Sequence, residues 1–274
     1  MALELADSHG HLTMVFEGGE MKGDPRAPRP DELSLLVSRA RDAGVTRILV
    51  PSTDREDQRR AVEAAERFDG VFAAVGFHPH EAKTFDEDRD LKLFEELCAS
   101  KKVVAVGEIG LDYHYDHSPR DVQKRAVAAQ LRFARSRGLP VLLHNRLSER
   151  DLLPILEAEY PGSPAEPRGV FHSFCADVAT GERALALGYL VSFSGMLTFK
   201  SADNVREAAA ALPLDSMLVE TDAPYLAPAP HRGKPNESSF LPRTAARLAE
   251  VKGVSLEEVA RATTASFQRL FRVD

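Results

Sequence analysis

Leu3-Glu4-Leu5-Ala6-Asp7-Ser8-His9-Gly10-His11 is a short apolar run that ends in a carboxylate and two histidines one residue apart. Side chains two positions apart on an extended chain share a face, so both imidazoles can reach one metal ion and the pair reads as half of a metal site. Alone, His-x-His is a weak signal, because short motifs recur by chance. Its meaning comes from the repetition of the same arrangement along the chain. Apolar or β-branched runs also occupy residues 47–51, 71–76, 103–107, 140–143, 169–171, 189–193 and 217–220, which with 3–7 makes eight. Amphipathic helical patterns lie between them at 33–43, 56–68, 91–100, 123–137, 152–159 and 176–187, several stopped by a glycine such as Gly44, Gly138 or Gly188. Eight strands with helical crossovers predict an α/β fold, a closed parallel (β/α)8 barrel. Two more helices, 242–251 and 256–271, follow the eighth strand, the second opened by a Ser255/Glu258 capping box. Residues 18–30 read as a long mobile loop and 161–168 as a turn-rich link.

The 274 residues suit one such barrel, so a single domain spanning 1–274 is expected. With 43% hydrophobic and 28% charged residues, the composition excludes a disordered or fibrous class. No run approaches the roughly 18 apolar residues of a membrane span, and the N-terminus lacks the pattern of a secretory leader. A cytoplasmic protein with no membrane partner is expected. Cys98 and Cys175 are far apart and form no Cys-x-x-Cys pair, which excludes a disulfide framework and a thiolate zinc site. The net charge of −7 argues against a broad basic face that coats nucleic acid. It leaves room for an enzyme that grips a short anionic segment at a metal centre.

In a parallel barrel the C-terminal strand ends converge on one face. Here those ends carry Asp7, His9 and His11, then His78-Pro79-His80, Glu108, His144, His172 and Asp222. Histidine and carboxylate without thiolate suit a catalytic divalent ion better than a closed structural zinc. Two ions match the ligand count: His9, His11 and Asp222 hold the first, His144 and His172 the second, and Glu108 bridges them over about 3.5 to 4 Å. Two dications less two carboxylates leave about +2 locally, enough to attract an anion to an acidic protein.

With these residues assembled, the chain resembles the TatD family of metal-dependent deoxyribonucleases, within the amidohydrolase-like barrels. The resemblance runs through Asp7-Ser8-His9-Gly10-His11-Leu12, Gly76-Phe77-His78-Pro79-His80, Gly107-Glu108-Ile109-Gly110-Leu111-Asp112-Tyr113, His144-Asn145-Arg146, Phe171-His172-Ser173-Phe174, Glu220-Thr221-Asp222-Ala223-Pro224-Tyr225 and Pro230-His231-Arg232-Gly233-Lys234-Pro235-Asn236-Glu237. It implies a distorted TIM barrel, the ligand set given above, Asp222 placed to handle protons, and hydrolysis of phosphodiesters from DNA ends with Mg²⁺ or Mn²⁺, Zn²⁺ being an alternative. Gly10 stands where the family often has cysteine, Thr13 where an aspartate often follows, and residues 18–30 are longer than usual.

Around that set, Asp7 and Asp112 read as carboxylates that orient ligand histidines. His78 and His80 are placed to meet phosphate or a metal-bound water, and Arg146, Lys200, Arg232 and Lys234 are the cations near strand ends five, seven and eight. His78, Arg146, Lys200 and Arg232 are thus the substrate-binding candidates, and Asp222 and Glu108 the catalytic ones. Tyr113 and Tyr225 are candidates to stack a base, and residues 114–117 read as solvent-facing. The leading expectation is a two-metal 3′–5′ exodeoxyribonuclease preferring single-stranded DNA, with DNA or RNA as its partner and no obligate protein partner. Two rivals stand beside it. One is a metal-dependent acyl or amide hydrolase, such as a D-aminoacyl-tRNA deacylase; the other is a catalytically silent, partner-binding barrel, which normally shows as a lost ligand, and none is lost.

Overall fold

Eight strands, β1 (Leu5–Asp7), β2 (Val45–Val50), β3 (Val71–Val75), β4 (Val103–Asp112), β5 (Val141–Arg146), β6 (Gly169–Phe171), β7 (Tyr189–Phe193) and β8 (Met217–Val219), pair in chain order into a closed barrel. All neighbours are parallel, and Asp7 opposite Val219 closes the ring. The computed structural model describes residues 3–274. The helices are α1 (Pro30–Asp42), α2 (Arg55–Arg67), α3 (Glu87–Leu97), α4 (Arg120–Arg137), α5 (Glu149–Glu159), α6 (Val178–Ala186), α7 (Asp203–Ala211), α8 (Leu241–Lys252) and α9 (Leu256–Phe271). The expected TIM barrel is the observed fold. Among the described residues, no helix is long and apolar enough to cross a membrane.

Strand periodicity explains where the site stands. One apolar cluster joins Ala6, Leu49, Ala74, Ala105, Leu142, Val170, Leu190 and Leu218, one residue from each strand, with Phe267, Leu270 and Phe271 of α9. These strand residues fill the barrel interior, and α9 closes its lower end. The alternate strand residues, among them Ile48, Val75, Leu143, Phe171 and Val191, pack outward against Phe94, Leu131 and Leu156 of the helices. Two positions further along five of the eight strands, the inward face turns polar, with Ser8, His144, His172, Ser192 and Glu220. Ser8 Oγ and Ser192 Oγ, from strands that are not neighbours, lie 2.8 Å apart across that interior.

Three differences from the expected elements have physical causes. Strand β4 runs to Asp112 rather than ending at Gly107, because its register slips between Val106 and Ile109 and then resumes against β5 with Gly110 opposite His144. Gly107 reads as a strand stop, whereas it marks a bulge, and Gly110 marks a close approach. Gly110 has a φ of +147°, and a Cβ there would stand 1.9 Å from the carbonyl oxygen of His144. Helix α7 escapes notice in the sequence because its apolar face is mostly alanine, with Val205, Ala208 and Ala209 as its buried residues. Residues 18–30 are tied back rather than free. Val15 and Arg26 exchange both backbone hydrogen bonds, at 2.8 and 2.9 Å, and Arg26 also pairs with Glu17 and Glu32. Of the Ser255/Glu258 box, the structure has the half in which Ser255 Oγ accepts the Glu258 N–H.

Candidate metal centre

The ends of β1 and β8 are laced together, and this brings His9, His11 and Asp222 side by side. Asp222 donates its N–H to the His9 carbonyl, and His11 donates to the Ala223 carbonyl, each at 2.8 Å. Asp7 supports the same joint. It accepts from Thr221 N at 2.9 Å, Thr221 Oγ1 at 2.6 Å, Ser238 Oγ at 2.8 Å and His9 N at 3.3 Å. The expectation that Asp7 orients a ligand imidazole is therefore corrected: its carboxylate is consumed by backbone and hydroxyl donors and fixes the chain instead. Asp222 itself is held at a φ of +55°, a conformation uncommon outside glycine and asparagine.

Glu108 stands at the centre, and its two oxygens divide the surrounding groups. Oε2 lies 3.2 Å from His9 Nε2 and 3.8 Å from His11 Nε2. Oε1 lies 2.8 Å from His144 Nδ1, 2.8 Å from His172 Nε2 and 3.3 Å from His78 Nε2. His9 and His11 approach to 3.3 Å through their Nε2 atoms, and Asp222 Oδ1 is 3.7 Å from both. On the far side of two imidazoles sit further carboxylates: Asp112 Oδ2 is 3.1 Å from His144 Nε2, and Glu220 Oε1 is 3.3 Å from His172 Nδ1. Asp112 Oδ2 also lies 3.0 Å from His80 Nε2.

Burial and charge act differently on the two halves of this cluster. Burial pushes His11 down to about 3, with His9 adding to the effect, and takes His78 down to about 4 against the pull of Glu108. His9 is lowered by the same burial. Burial also opposes charge on His144 and His172, but Asp112 and Glu108 raise the first, and Glu108 and Glu220 carry the second well above its usual value. Asp222 is raised well above the carboxylate range, by burial first and then by Glu220 and Glu108, against His172. Glu108 goes the other way, because its histidine neighbours outweigh its burial.

This donor set fits divalent metal ions. His9, His11 and Glu108 offer ligand atoms within 4.8 Å of one another, as do His9, His172 and Asp222, and His78, Glu108 and His144. In the deprotonated forms that bind metal, imidazoles and carboxylates crowded to such distances present lone pairs to one another, an arrangement that a cation between them relieves. The set contains no thiolate, as an open catalytic site does not require one.

Above the cluster opens a cavity of about 760 Å³, walled by Met14, Asp54, Tyr115, Asn145, Arg146, Cys175, Met196 and Tyr225. His78 and Arg146 line it, as the sequence suggests. Lys200, Arg232 and Lys234 do not: all three are exposed away from its wall, the Arg232 guanidinium 3.5 Å over the Phe199 ring. Tyr113 is also displaced from the expected role, since it is not on the cavity wall and its hydroxyl donates to Asp151 at 2.6 Å. Sequence reasoning missed Glu220, although Leu218 two residues earlier points into the barrel. It also missed Tyr115, which stands on the cavity wall within a stretch read only as solvent-facing.

The comparisons with known proteins agree with this chemistry. A family model described as TatD related DNase matches residues 6–272. The chain is similar to the metal-dependent hydrolase YabD of Bacillus subtilis, with 40% identity over 271 residues that cover 98% of this chain and 100% of that one. It is 39% identical over 272 residues to the metal-dependent hydrolase TatD of Mycobacterium tuberculosis, covering 97% of each. Among solved structures it resembles YjjV, a TatD homolog from Escherichia coli, with a TM-score of 0.87, 32% identity and 100% of both chains covered. Relatives matched nearly end to end, and a family model that leaves only a few terminal residues outside it, make this chain a member of the TatD family of metal-dependent hydrolases, in the amidohydrolase-like superfamily.

Proposed function

We propose that the protein is a divalent-metal-dependent phosphodiesterase of nucleic acid, acting as a 3′–5′ exodeoxyribonuclease on single-stranded DNA in the cytoplasm. The observation that carries this reading is Glu108, whose two oxygens face two separate donor groups, the arrangement a two-ion site needs. His9, His11 and Asp222 would hold one ion, His144 and His172 the other, with Glu108 between them. Divalent ions bound there supply charge neutralisation on phosphate oxygens and make water more acidic. Of the ions considered, Mn²⁺ and Zn²⁺ suit an imidazole-rich set better than Mg²⁺.

The chain's own groups do the rest. Asp222 faces the cavity beside His9 and His11, and its carboxylate takes the proton that the attacking water sheds. Arg146, on the cavity wall, and His78, beside Glu108, hold the phosphate. His9 and Glu108 are 0% and 2% exposed, so a flexible single strand brings its phosphate to them more readily than a rigid duplex does. The name of the matching family model, TatD related DNase, supports the choice of DNA.

The test is a panel of end-labelled single-stranded DNA, duplex DNA, RNA and D-aminoacyl-tRNA, each incubated with Mn²⁺ and with a chelator. The expected result is chelator-sensitive release of mononucleotides from single-stranded DNA, starting at the 3′ end. Deacylation of the tRNA with every phosphodiester intact would overturn the reading.

A further inference from the structure

Tyr115 is a large aromatic side chain left 50% exposed on the wall of the cavity. Its surroundings are built rather than loose. The Arg146 guanidinium carbon lies 5.0 Å from its ring centroid, and the His117 ring is stacked parallel to it at 5.6 Å with an interplanar angle of 3°. Asp112 fixes the backbone beneath: its Oδ1 accepts the N–H groups of both His114 and Tyr115 at 2.9 Å, while its Oδ2 touches His144. Asp116, at a φ of +51°, turns the chain and is clamped by Arg120 through two hydrogen bonds of 2.8 and 2.7 Å. The ring is thus set at a defined place relative to Glu108, through Asp112 and His144. The other tyrosine on the wall, Tyr225, is met edge-on by His11 and Phe16 as Tyr115 is by His80 and His114, but it is half-buried whereas Tyr115 is exposed.

We propose that Tyr115, backed by Arg146, is a stacking platform for an unpaired nucleobase on the strand whose phosphate lies over Glu108, and that it makes the site favour unpaired strands. The proposal rests on the nuclease reading above and adds the residue that selects the substrate. A half-exposed ring with a guanidinium over it matches the two parts of a nucleotide, the base meeting the open part of the π-surface while the positive charge reaches the adjoining phosphate. A base inside a duplex has both faces covered by its neighbours and offers none to the ring.

The experiment uses the Zn²⁺-loaded protein and single-stranded oligonucleotides with 2-aminopurine at the 3′ end in one probe and the 5′ end in another, each with a phosphorothioate at the terminal linkage to slow cleavage. Stacking on an aromatic ring quenches 2-aminopurine. Wild type and Tyr115→Phe should quench at least one probe, whereas Tyr115→Ala, with an unchanged circular dichroism spectrum, should bind about tenfold more weakly and not quench, as one lost base stack implies. In parallel, with Mn²⁺ and normal linkages, Tyr115→Ala should raise KM about tenfold for an ordinary oligonucleotide and leave it unchanged for one whose terminal nucleotide is abasic. Quenching by neither probe in the wild type, or equal quenching in Tyr115→Ala, overturns the platform. If the wild type quenches but cleaves no phosphodiester, abasic or not, the nuclease reading fails and the platform stands. Cleavage with the same KM in wild type and Tyr115→Ala leaves the nuclease reading and removes the platform.

Discussion

Glu220 Oε1 lies 3.3 Å from Nδ1 of His172, behind the ring whose other nitrogen faces Glu108. Asp112 backs His144 in the same way. His9 and His11 have no such support, for the Nδ1 atom of each is buried without a partner. A carboxylate behind an imidazole fixes its orientation and strengthens it as a ligand. The two halves of the cluster are therefore unequal, and under the two-ion reading an ion on the His144/His172 side would be held more tightly.

Calorimetric titration with Mn²⁺ should accordingly show two phases. Glu220→Gln keeps an oxygen for the Ser173 N–H, which Glu220 now accepts at 2.8 Å, but removes the charge behind His172. The tighter phase should weaken by roughly 10- to 100-fold and the weaker one stay in place. One phase, indifferent to the substitution, would show the halves to be equivalent.

Asp222→Asn tests the proton acceptor. Asparagine preserves shape and tolerates the left-handed backbone of this position, so the fold should persist. The kcat on single-stranded DNA should fall by roughly 10² or more, the scale of a lost general base, while elemental analysis still finds metal. A metal-saturated variant with nearly wild-type kcat would leave Asp222 a purely structural residue.

The placement of the cations predicts an order of effects. Arg146→Ala, on the cavity wall, should raise KM and reduce the slope of log affinity against log salt by about 0.7, the share of one contact to a single strand. Lys200→Ala and Arg232→Ala, off that wall, should change both less. Salt titrations of all three variants on one oligonucleotide decide the order, and a larger effect at Lys200 would relocate the path of the strand.

Far from the site, Asp90 predicts a dependence of stability on pH. It is fully buried yet paired with Arg55 through two contacts of 2.6 Å, and it accepts the Asp86 N–H at 2.7 Å. Burial raises its pKa, but Arg55, the Asp86 N–H and Arg89 together bring it below the usual value of 3.8. A carboxyl depressed in the folded state contributes stability that is present above about pH 4 and lost as pH falls through its folded value. Asp90→Asn should cost about 2 kcal/mol at pH 7 and progressively less below pH 4, read from urea denaturation in the presence of chelator. A difference independent of pH would separate Asp90 from acid sensitivity.

Much of this was legible in the residues because strand periodicity is simple. Leu142 and His144, or Val170 and His172, sit two apart, so an inward apolar side chain announces an inward ligand one step on. Glu108 was found at a strand end that is not one, since β4 continues past it through a bulge that Gly107 disguises as a stop. Tyr115 and Asp112 could not be related from sequence spacing. Their link is a turn formed by a carboxylate capping two N–H groups, and such a turn carries no periodicity. Asp7 was misread for a similar reason: its partners Thr221 and Ser238 lie more than two hundred residues away in the chain, and only closure of the ring delivers them.

Phe267, Leu270 and Phe271 of α9 make the barrel a cup rather than a tube. Whatever reaches the metal cluster enters by the mouth and leaves by the mouth, since the lower end is sealed by packed hydrocarbon. A polymer cannot be threaded through and pulled from the far side. For the strand proposed above, a terminus would arrive at the bottom of the cup first, and the cut fragment would leave past the strand that delivered it. A site approached from one side only suits trimming from an end, the mode of action proposed above.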